Sequence, residues 1–260
     1  MPEENLNSSI VTSGLTTRFI GKNFLCYPSI SSTIDIARQK AVEKIAEGTA
    51  VFAERQTAGR GRLKRAWISP EGNIALSIIL YPAKAHLSSL TILASLAVKH
   101  GIEKTTGLKC QLKWPNDALI NGKKVSGILL ESQAKVDSVD YAIISTGINV
   151  NMKMTDYPEI ASFATSLAHE MGKEVSRITL LRNLFTEFER LYIKLLSGES
   201  PLPEWRECLI TLGKSVHVRT NEDVFEGIAE SVAEDGGLLL RCADGSLMKF
   251  MAGDVTLDKF

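Results

Sequence analysis

Cysteine is scarce, with 4 in 260 residues, and Cys26, Cys110, Cys208 and Cys242 lie far apart without a C-x-x-C pair. That argues against a disulfide framework, a zinc site or a redox motif, and we read the four as reduced, mostly buried small hydrophobes. An excess of either charge is also missing. Lys+Arg and Asp+Glu both number 30, so the formal net charge is zero. A dedicated nucleic-acid binder usually shows a basic excess, so that class is disfavoured, although a local basic patch is not excluded. No apolar run reaches the length of a membrane span, and the acidic start Met1–Asn5 has no apolar core of a secretion signal. The expected location is therefore cytoplasmic. Internal repeats and low-complexity tracts are absent. What remains is 44% hydrophobic and 23% charged residues, an ordinary globular composition. It suits one large domain, or a main domain with a small one.

The stretch Ala53–Trp67, A-E-R-Q-T-A-G-R-G-R-L-K-R-A-W, follows an apolar run at Thr49–Ala53 that reads as a buried strand. It then loses all hydrophobic periodicity. Gly59 and Gly61 alternate with Arg60 and Arg62. Glycine allows close backbone approach, and arginine brings a permanent charge on a planar fork of donors. Such a loop suits an anion, or is a solvated basic loop. It is not the G-x-x-x-x-G-K-[ST] phosphate loop. It is also too short and isolated for a disordered Arg-Gly tract.

Residues 1–14 are polar and expected to be loose. Thr16–Ile20 and Asn23–Tyr27 read as short strands. A helix should start at Ser32 or Thr33, good N-caps, and end at Gly48. Those two residues either cap only, or offer hydroxyls and free N–H groups to a polar ligand. Asn73–Tyr81 reads as a strand, and Ser88–His100 as a buried helix ended by Gly101. Lys123–Ser132 and Asp140–Asn151 are further strands, the first preceded by a hairpin turn at Asn121-Gly122. Short connections indicate a mixed, largely antiparallel sheet. Ser176–Ser197 carries Ile178, Leu181, Leu184, Phe185, Phe188, Leu191, Tyr192 and Leu195 at helical spacing, a core stripe. Glu204–Ile210 adds a short helix. From Gly213 on, five short apolar runs separated by N-E-D, E-D-G-G and A-D-G predict a small β-barrel. At about 48 residues it should pack on the main domain.

A second irregular polar cluster, Lys113-Trp114-Pro115-Asn116-Asp117, follows a strand. Lys113 either snorkels between Leu112 and Trp114 or points at an acidic ligand. Ser126-Gly127 interrupts an apolar run, as happens where a ligand approaches a strand. Asn149 and Asn151 end the next strand. Together these describe a pocket with fixed cations, amides, bare backbone and a tryptophan, Trp67.

The order S-S-T-I-D, Q-T-A-G-R-G-R…W, K-W-P-N-D, K-V-S-G-I-L-L-E, G-I-N-V-N, followed by a small β-barrel, resembles the biotin protein ligases, that is, the biotin–[acetyl-CoA-carboxylase] ligases. The resemblance runs from about residue 15 to 258. It implies an α+β fold: a mixed, largely antiparallel sheet packed by helices, related to class II aminoacyl-tRNA synthetases, plus a Src-homology-like C-terminal barrel. The implied division is a catalytic domain at 15–210 and a barrel at 211–260. The implied reaction joins biotin to ATP as biotinyl-5′-adenylate, then passes biotin to a lysine of a biotin carboxyl carrier protein. By the same resemblance Ser32, Thr33, Ile34 and Gln56 lie at the biotin ring. Arg60, Gly61 and Arg62 form a loop over carboxylate and phosphate. Lys113 bridges the two anions as the principal catalytic residue, with Arg62 beside it. Trp67 stacks on adenine, Asn116 and Asn149 lie near the phosphates and Mg²⁺, and Gly127 lets the backbone approach biotin. No dedicated metal site is expected, only the Mg²⁺ that accompanies ATP. Ile34 departs from the family's usual S-T-N. Only about 15 residues precede the first catalytic-domain strand, so the expectation is a monofunctional enzyme without DNA binding, possible as a homodimer. The alternatives are a lipoate- or octanoate-attaching enzyme, or a biotin-responsive regulator.

Overall fold

The computed structural model describes residues 6–220 and 223–257. A seven-stranded sheet forms the centre. Its strands are β1 (Phe24–Ile30), β2 (Ala50–Gln56), β3 (Ile74–Leu80), β4 (Gln111–Lys113), β5 (Asp117–Ile120), β6 (Lys123–Ala134) and β7 (Val139–Ile148). Their order is β1-β2-β3-β7-β6-β5-β4, with only the β1–β2 pair parallel. β3 and β7 sit in the middle, and every residue of β3 is buried. A strand covered on both faces reads as a nearly continuous apolar run, and I-A-L-S-I-I-L is apolar except for Ser77.

Two long helices cover one face. They are α3 (Ser89–Thr106) and α5 (Arg177–Leu196), after α1 (Ser8–Ser13), α2 (Thr33–Val42) and α4 (Leu167–Met171) are counted in chain order. α5 buries the expected stripe, with Leu181, Leu184, Phe185, Phe188 and Tyr192 at 2% exposure or less. α2 covers part of the opposite face, where Ala37 and Ala41 meet Val51, Ile79 and Ile143. A short α6 (Leu202–Cys208) leads into the second sheet.

That sheet contains β8 (Ser215–Arg219), β9 (Val224–Val232), β10 (Leu238–Arg241), β11 (Leu247–Phe250) and β12 (Asp254–Leu257), all antiparallel, in the order β11-β10-β9-β8-β12. The five strands match expectation. No ladder joins β11 to β12 among the described residues, so the unit is barrel-like with two edges. Its buried Val216, Val218, Leu238, Leu240 and Val255 belong to the same cluster as the main core.

Several local expectations are corrected. Residues 8–13 form α1, capped by Asn7, and Leu6, Val11 and Leu15 are buried; residues 1–5 lie outside the described residues. Arg182 of α5 donates to the carbonyls of Ile10 and Val11, a long-range partner that a local pattern does not announce. Thr16–Ile20 is not a strand. The buried carboxylate of Glu189 accepts from the N–H groups of Arg18, Phe19 and Ile20 at 2.7–3.0 Å and replaces a ladder. α2 stops at Val42, and Lys44 turns left-handed with φ 57°. α3 runs through Gly101 and ends at Gly107, whose φ is 73°. A Cβ at Gly101 would stand 3.2 Å from Leu184 Cα, so this glycine permits the crossing of α3 and α5 rather than ending a helix. α4 is an element the sequence pattern did not indicate.

Candidate active site

Cross-strand partners share a face of a pleated sheet. On the α2 face of β3, β7 and β6 they form rows. Ala75 pairs with Gly147, and Gly147 with Gly127; the next row is Ser77, Ser145 and Leu129. Beyond them Ile79 and Ile143 lie beneath α2. The first row has almost no side-chain volume, and this leaves a bare floor. A cavity of about 600 Å³ opens over it. The Trp67 indole occupies the space a side chain on Gly147 would take: a Cβ there would lie 2.3 Å from both Cε2 and Nε1. Lys124 Nζ sits 5.5 Å from the centre of the Trp67 ring.

The start of α2 forms one wall. Ser32 caps the helix, its Oγ accepting from Ile34 N at 3.3 Å. The Thr33 N–H and hydroxyl both donate to Gln56 Oε1, at 2.8 and 3.2 Å. Ser77 Oγ donates to Thr33 Oγ1 at 2.8 Å and lies 2.8 Å from Ser145 Oγ. Ile34 lines the cavity, whereas Ser32 stands behind the lining.

The glycine-arginine stretch forms the roof. It is a hairpin: Gln56 N donates to Ser69 O at 3.1 Å, Trp67 N to Gly59 O at 2.9 Å, and Gly61 N to Arg65 O at 2.8 Å. The reversal at Arg62–Lys64 uses a left-handed Leu63 with φ 53°. Three arginines tether it. Arg60 pairs with Asp35 of α2 at 2.6 Å, Arg62 donates to Asn116 Oδ1 at 3.0 Å, and Arg65 pairs with Asp254 of β12. A Cβ at Gly61 would meet nothing closer than Arg65 O at 3.6 Å, so internal packing does not demand glycine there.

The segment from β4 to β5 forms the facing wall. Asn116 Nδ2 donates to Ile128 O at 2.7 Å, leaving its oxygen for Arg62. Asp117 pairs with Lys124 at 2.5 Å. Trp114 is buried, its N–H bonded to Thr211 Oγ1 at 3.0 Å and its indole N–H to Gly236 O at 2.9 Å. The K-W-P-N-D turn is thus held from the C-terminal sheet. Asn149 lines the cavity while its amide donates to Thr165 O at 3.0 Å; Asn151 is spent on Val175, away from the cavity.

Thr33, Ile34, Gln56, Arg60, Gly61, Arg62, Trp67, Lys113, Asn116, Gly127 and Asn149 therefore share one cavity. The lining also holds Arg65, Asp117, Lys124, Ser145, Arg219 and Asp254, to which sequence reasoning assigned no role. Asp117 and Lys124 carry a local signal, as charged residues within K-W-P-N-D and K-V-S-G-I-L-L-E. Arg219 and Asp254 carry no local signal, because only the docking of the second sheet brings them here. Lys249 pairs with Asp235 at 2.5 Å on the surface, outside the cavity lining.

The whole chain is neutral, but the cavity is not. Arg60, Arg62, Arg65, Lys113, Lys124 and Arg219 outnumber Asp117 and Asp254 in its lining. Among the described residues no carboxylate is paired with Arg62, and no hydrogen bond or ion pair engages Lys113 Nζ. Burial pushes the Lys113 ammonium below its ordinary pKa; Lys124 adds to this, and Asp117 and Asp254 oppose it. Burial likewise lowers the Arg62 pKa, against Asp254 and Asp117. Two partly desolvated cations that no carboxylate neutralises favour an anion arriving between them.

A profile of the biotin/lipoate A/B protein ligase family matches residues 26–151, and one of the biotin protein ligase C terminal domain matches residues 211–258. The chain is 38% identical over 258 residues to the bifunctional ligase/repressor BirA of Bacillus subtilis, covering 97% of this chain and 79% of that one. It is 34% identical over 200 residues to the biotin–[acetyl-CoA-carboxylase] ligase of Paracoccus denitrificans, covering 74% and 83% respectively. Among solved structures, the biotin protein ligase from Aquifex aeolicus in complex with biotin and ATP aligns with TM-score 0.77 at 30% identity, over 92% of this chain and 100% of that one. In sequence over nearly its whole length and in fold, the chain belongs to the biotin protein ligase family.

Proposed function

We propose that the protein is an ATP-dependent biotin protein ligase working in two steps at this cavity. A carboxylate oxygen of biotin attacks the α-phosphorus of ATP, and pyrophosphate leaves. The amine of an acceptor lysine then attacks the carbonyl carbon of the adenylate; AMP leaves and the amine loses a proton. The carrying observation is the pair of partly buried cations that no carboxylate neutralises, Lys113 and Arg62, in the cavity over the Ala75–Gly147–Gly127 floor. Two anions that repel each other must be held together for the first step, and fixed cations in a water-poor site do this. Lys113 spans biotin carboxylate and α-phosphate. Arg62, and Arg60 with Gly61, close over them, the free backbone space at Gly61 leaving room for close approach. Thr33 and Gln56 take the biotin ring, Gly127 its approach to the strand, Trp67 the adenine, and Asn116 and Asn149 the phosphate side.

Mg²⁺ prefers oxygen ligands and is usually carried by nucleotide phosphates with one or two protein carboxylates. The cavity offers Asp117, Asp254, Asn116 and Asn149 as oxygen donors, and no group of three or more metal-binding His, Cys, Asp or Glu residues occurs among the described residues. This donor set fits an ion delivered by ATP, whose charge would help neutralise the phosphates.

The same reading divides the chain into a catalytic unit at 15–210 and a C-terminal unit at 211–260. It makes the acceptor a biotin carboxyl carrier protein and the location cytoplasmic; no helix of the described residues is long and apolar enough to cross a membrane. A homodimer could use β1, an edge of the main sheet. The deciding experiment is incubation with biotin, Mg·ATP and a carrier domain, followed by mass measurement of the carrier. A biotinyl gain on one lysine is expected. Pyrophosphate exchange driven by lipoate and not by biotin would overturn the reading.

A further inference from the structure

The hydroxyls behind Gln56 form one directed chain of hydrogen bonds. The Thr33 backbone N–H donates to Gln56 Oε1 at 2.8 Å, so the amide oxygen must face α2 and its nitrogen must face away. The Thr33 hydroxyl donates its single proton to the same oxygen at 3.2 Å. Its oxygen can only accept from Ser77, at 2.8 Å. That uses the single proton of Ser77, so across the 2.8 Å Ser77–Ser145 contact Ser145 is the donor. Each step removes one choice, and the polarity fixed at a backbone N–H reaches the cavity. Ser145, in its lining, has spent its proton and offers only lone pairs. Gln56 offers only its Nε2 protons.

We propose that Ser145 is a further specificity-determining residue, an acceptor for an N–H of the bound ligand, and that Ser77, wholly buried behind it, is the positioning residue that keeps it an acceptor. This rests on the reading that the ring end of biotin lies beside Thr33 and Gln56. A cyclic urea presents one carbonyl and two N–H groups. Gln56 Nε2 can supply the carbonyl's donor, and Ser145 Oγ supplies an acceptor for one N–H. Ile34 offers no polar side-chain group from the α2 wall, and Ser145 provides a polar partner from the floor side instead. A ring bearing an oxygen at the matching position would bring lone pair against lone pair. The site therefore selects against cyclic carbamates as well as against rings without heteroatoms.

The test uses isothermal titration of biotin, and of the two cyclic carbamates in which one or the other ring N–H is replaced by oxygen. These are titrated into the wild-type chain and into Ser145→Ala, Ser77→Ala, Ser77→Thr and Gln56→Ala. Wild type is expected to bind one carbamate at least about tenfold more weakly than biotin. Ser145→Ala is expected to bind biotin about five- to tenfold more weakly, the worth of one neutral hydrogen bond, and to treat biotin and that carbamate alike within about twofold. Ser77→Ala frees the Ser145 proton and should give a smaller loss with the same collapse of discrimination, and Ser77→Thr should restore both. Melting curves check each fold; if Ser145→Ala does not fold, Ser145→Cys, of similar size and a poor acceptor, takes its place. Unchanged biotin affinity or retained discrimination in the Ser145 variant, with Gln56→Ala weakened, would overturn the role of Ser145 and leave the biotin site standing. A wild-type chain that binds no biotin would instead overturn the site reading itself.

Discussion

Replacing Lys113 by alanine separates catalysis from folding. The ammonium faces the cavity, half-buried and with no hydrogen-bond or ion-pair partner among the described residues. Its pKa is lowered, so its charged form is held less favourably in the folded chain than in the unfolded one. Removing it at neutral pH therefore sacrifices no stabilising ion pair and relieves a desolvated charge; some stem packing is lost. The melting temperature should change by no more than about 3 °C, the effect of well under 2 kcal/mol in a chain of this size. Adenylation should suffer far more. A unit charge about 4 Å from the charge developing at phosphorus, at an effective dielectric constant of about 20, is worth about 4 kcal/mol. That converts to about a thousandfold in rate, within the range found for losing one preorganised electrostatic partner. Biotin-dependent exchange of labelled pyrophosphate into ATP measures it, alongside circular dichroism melting. A fall in exchange of less than tenfold would refute the assignment of Lys113. A large drop in melting temperature would refute the claim that its charge is uncompensated in the free protein.

Three further outcomes follow from the same geometry. Because burial lowers the Lys113 pKa, the lysine loses its proton at a lower pH than a free lysine, so the exchange rate should fall on the alkaline side before pH 10.5, and Lys113→Arg should push that limb upward; a limb that Lys113→Arg leaves in place would point to another group. Gly147→Ala puts a Cβ 2.3 Å from the Trp67 indole and must displace the ring. With base stacking worth about 1–3 kcal/mol, KM for ATP should rise about tenfold and tryptophan emission should shift, and neither changing would count against Trp67 as the adenine platform. Trp114→Phe removes the indole N–H from Gly236 O and leaves that carbonyl without this donor, which should cost about 1–3 kcal/mol in urea unfolding; a stability equal to wild type would mean the contact does not hold the two sheets together.

The sequence determined the elements whose signals are local. The α5 stripe repeats at helical spacing, β3 is an Ile- and Leu-rich run broken only by Ser77, and the five short C-terminal strands are set off by turn residues. Both irregular polar stretches were legible for the opposite reason: Gly59–Arg62 and Lys113–Asp117 break a period that the flanking strands keep. A loop rich in Gly and Arg needs no tertiary information to be chemically conspicuous. Other residues depend on what lies across the fold. Gly101 reads as a helix end until α5 crosses above it. Thr16–Ile20 reads as a strand until the Glu189 carboxylate takes its N–H groups. Gly147 stands between Thr146 and Ile148 with no sign that Trp67 lies on it. Only the register of β3, β7 and β6 lines up Ala75, Gly147 and Gly127 into a floor, and Ser77 with Ser145 behind it. Only the docking of the second sheet carries Asp254 and Arg219 to the rim of the cavity. Periodicity and composition record what one segment needs from its surroundings. Which segment supplies it is set by strand register and helix crossing, and these arise from packing over separations of up to 189 residues, as between Arg65 and Asp254.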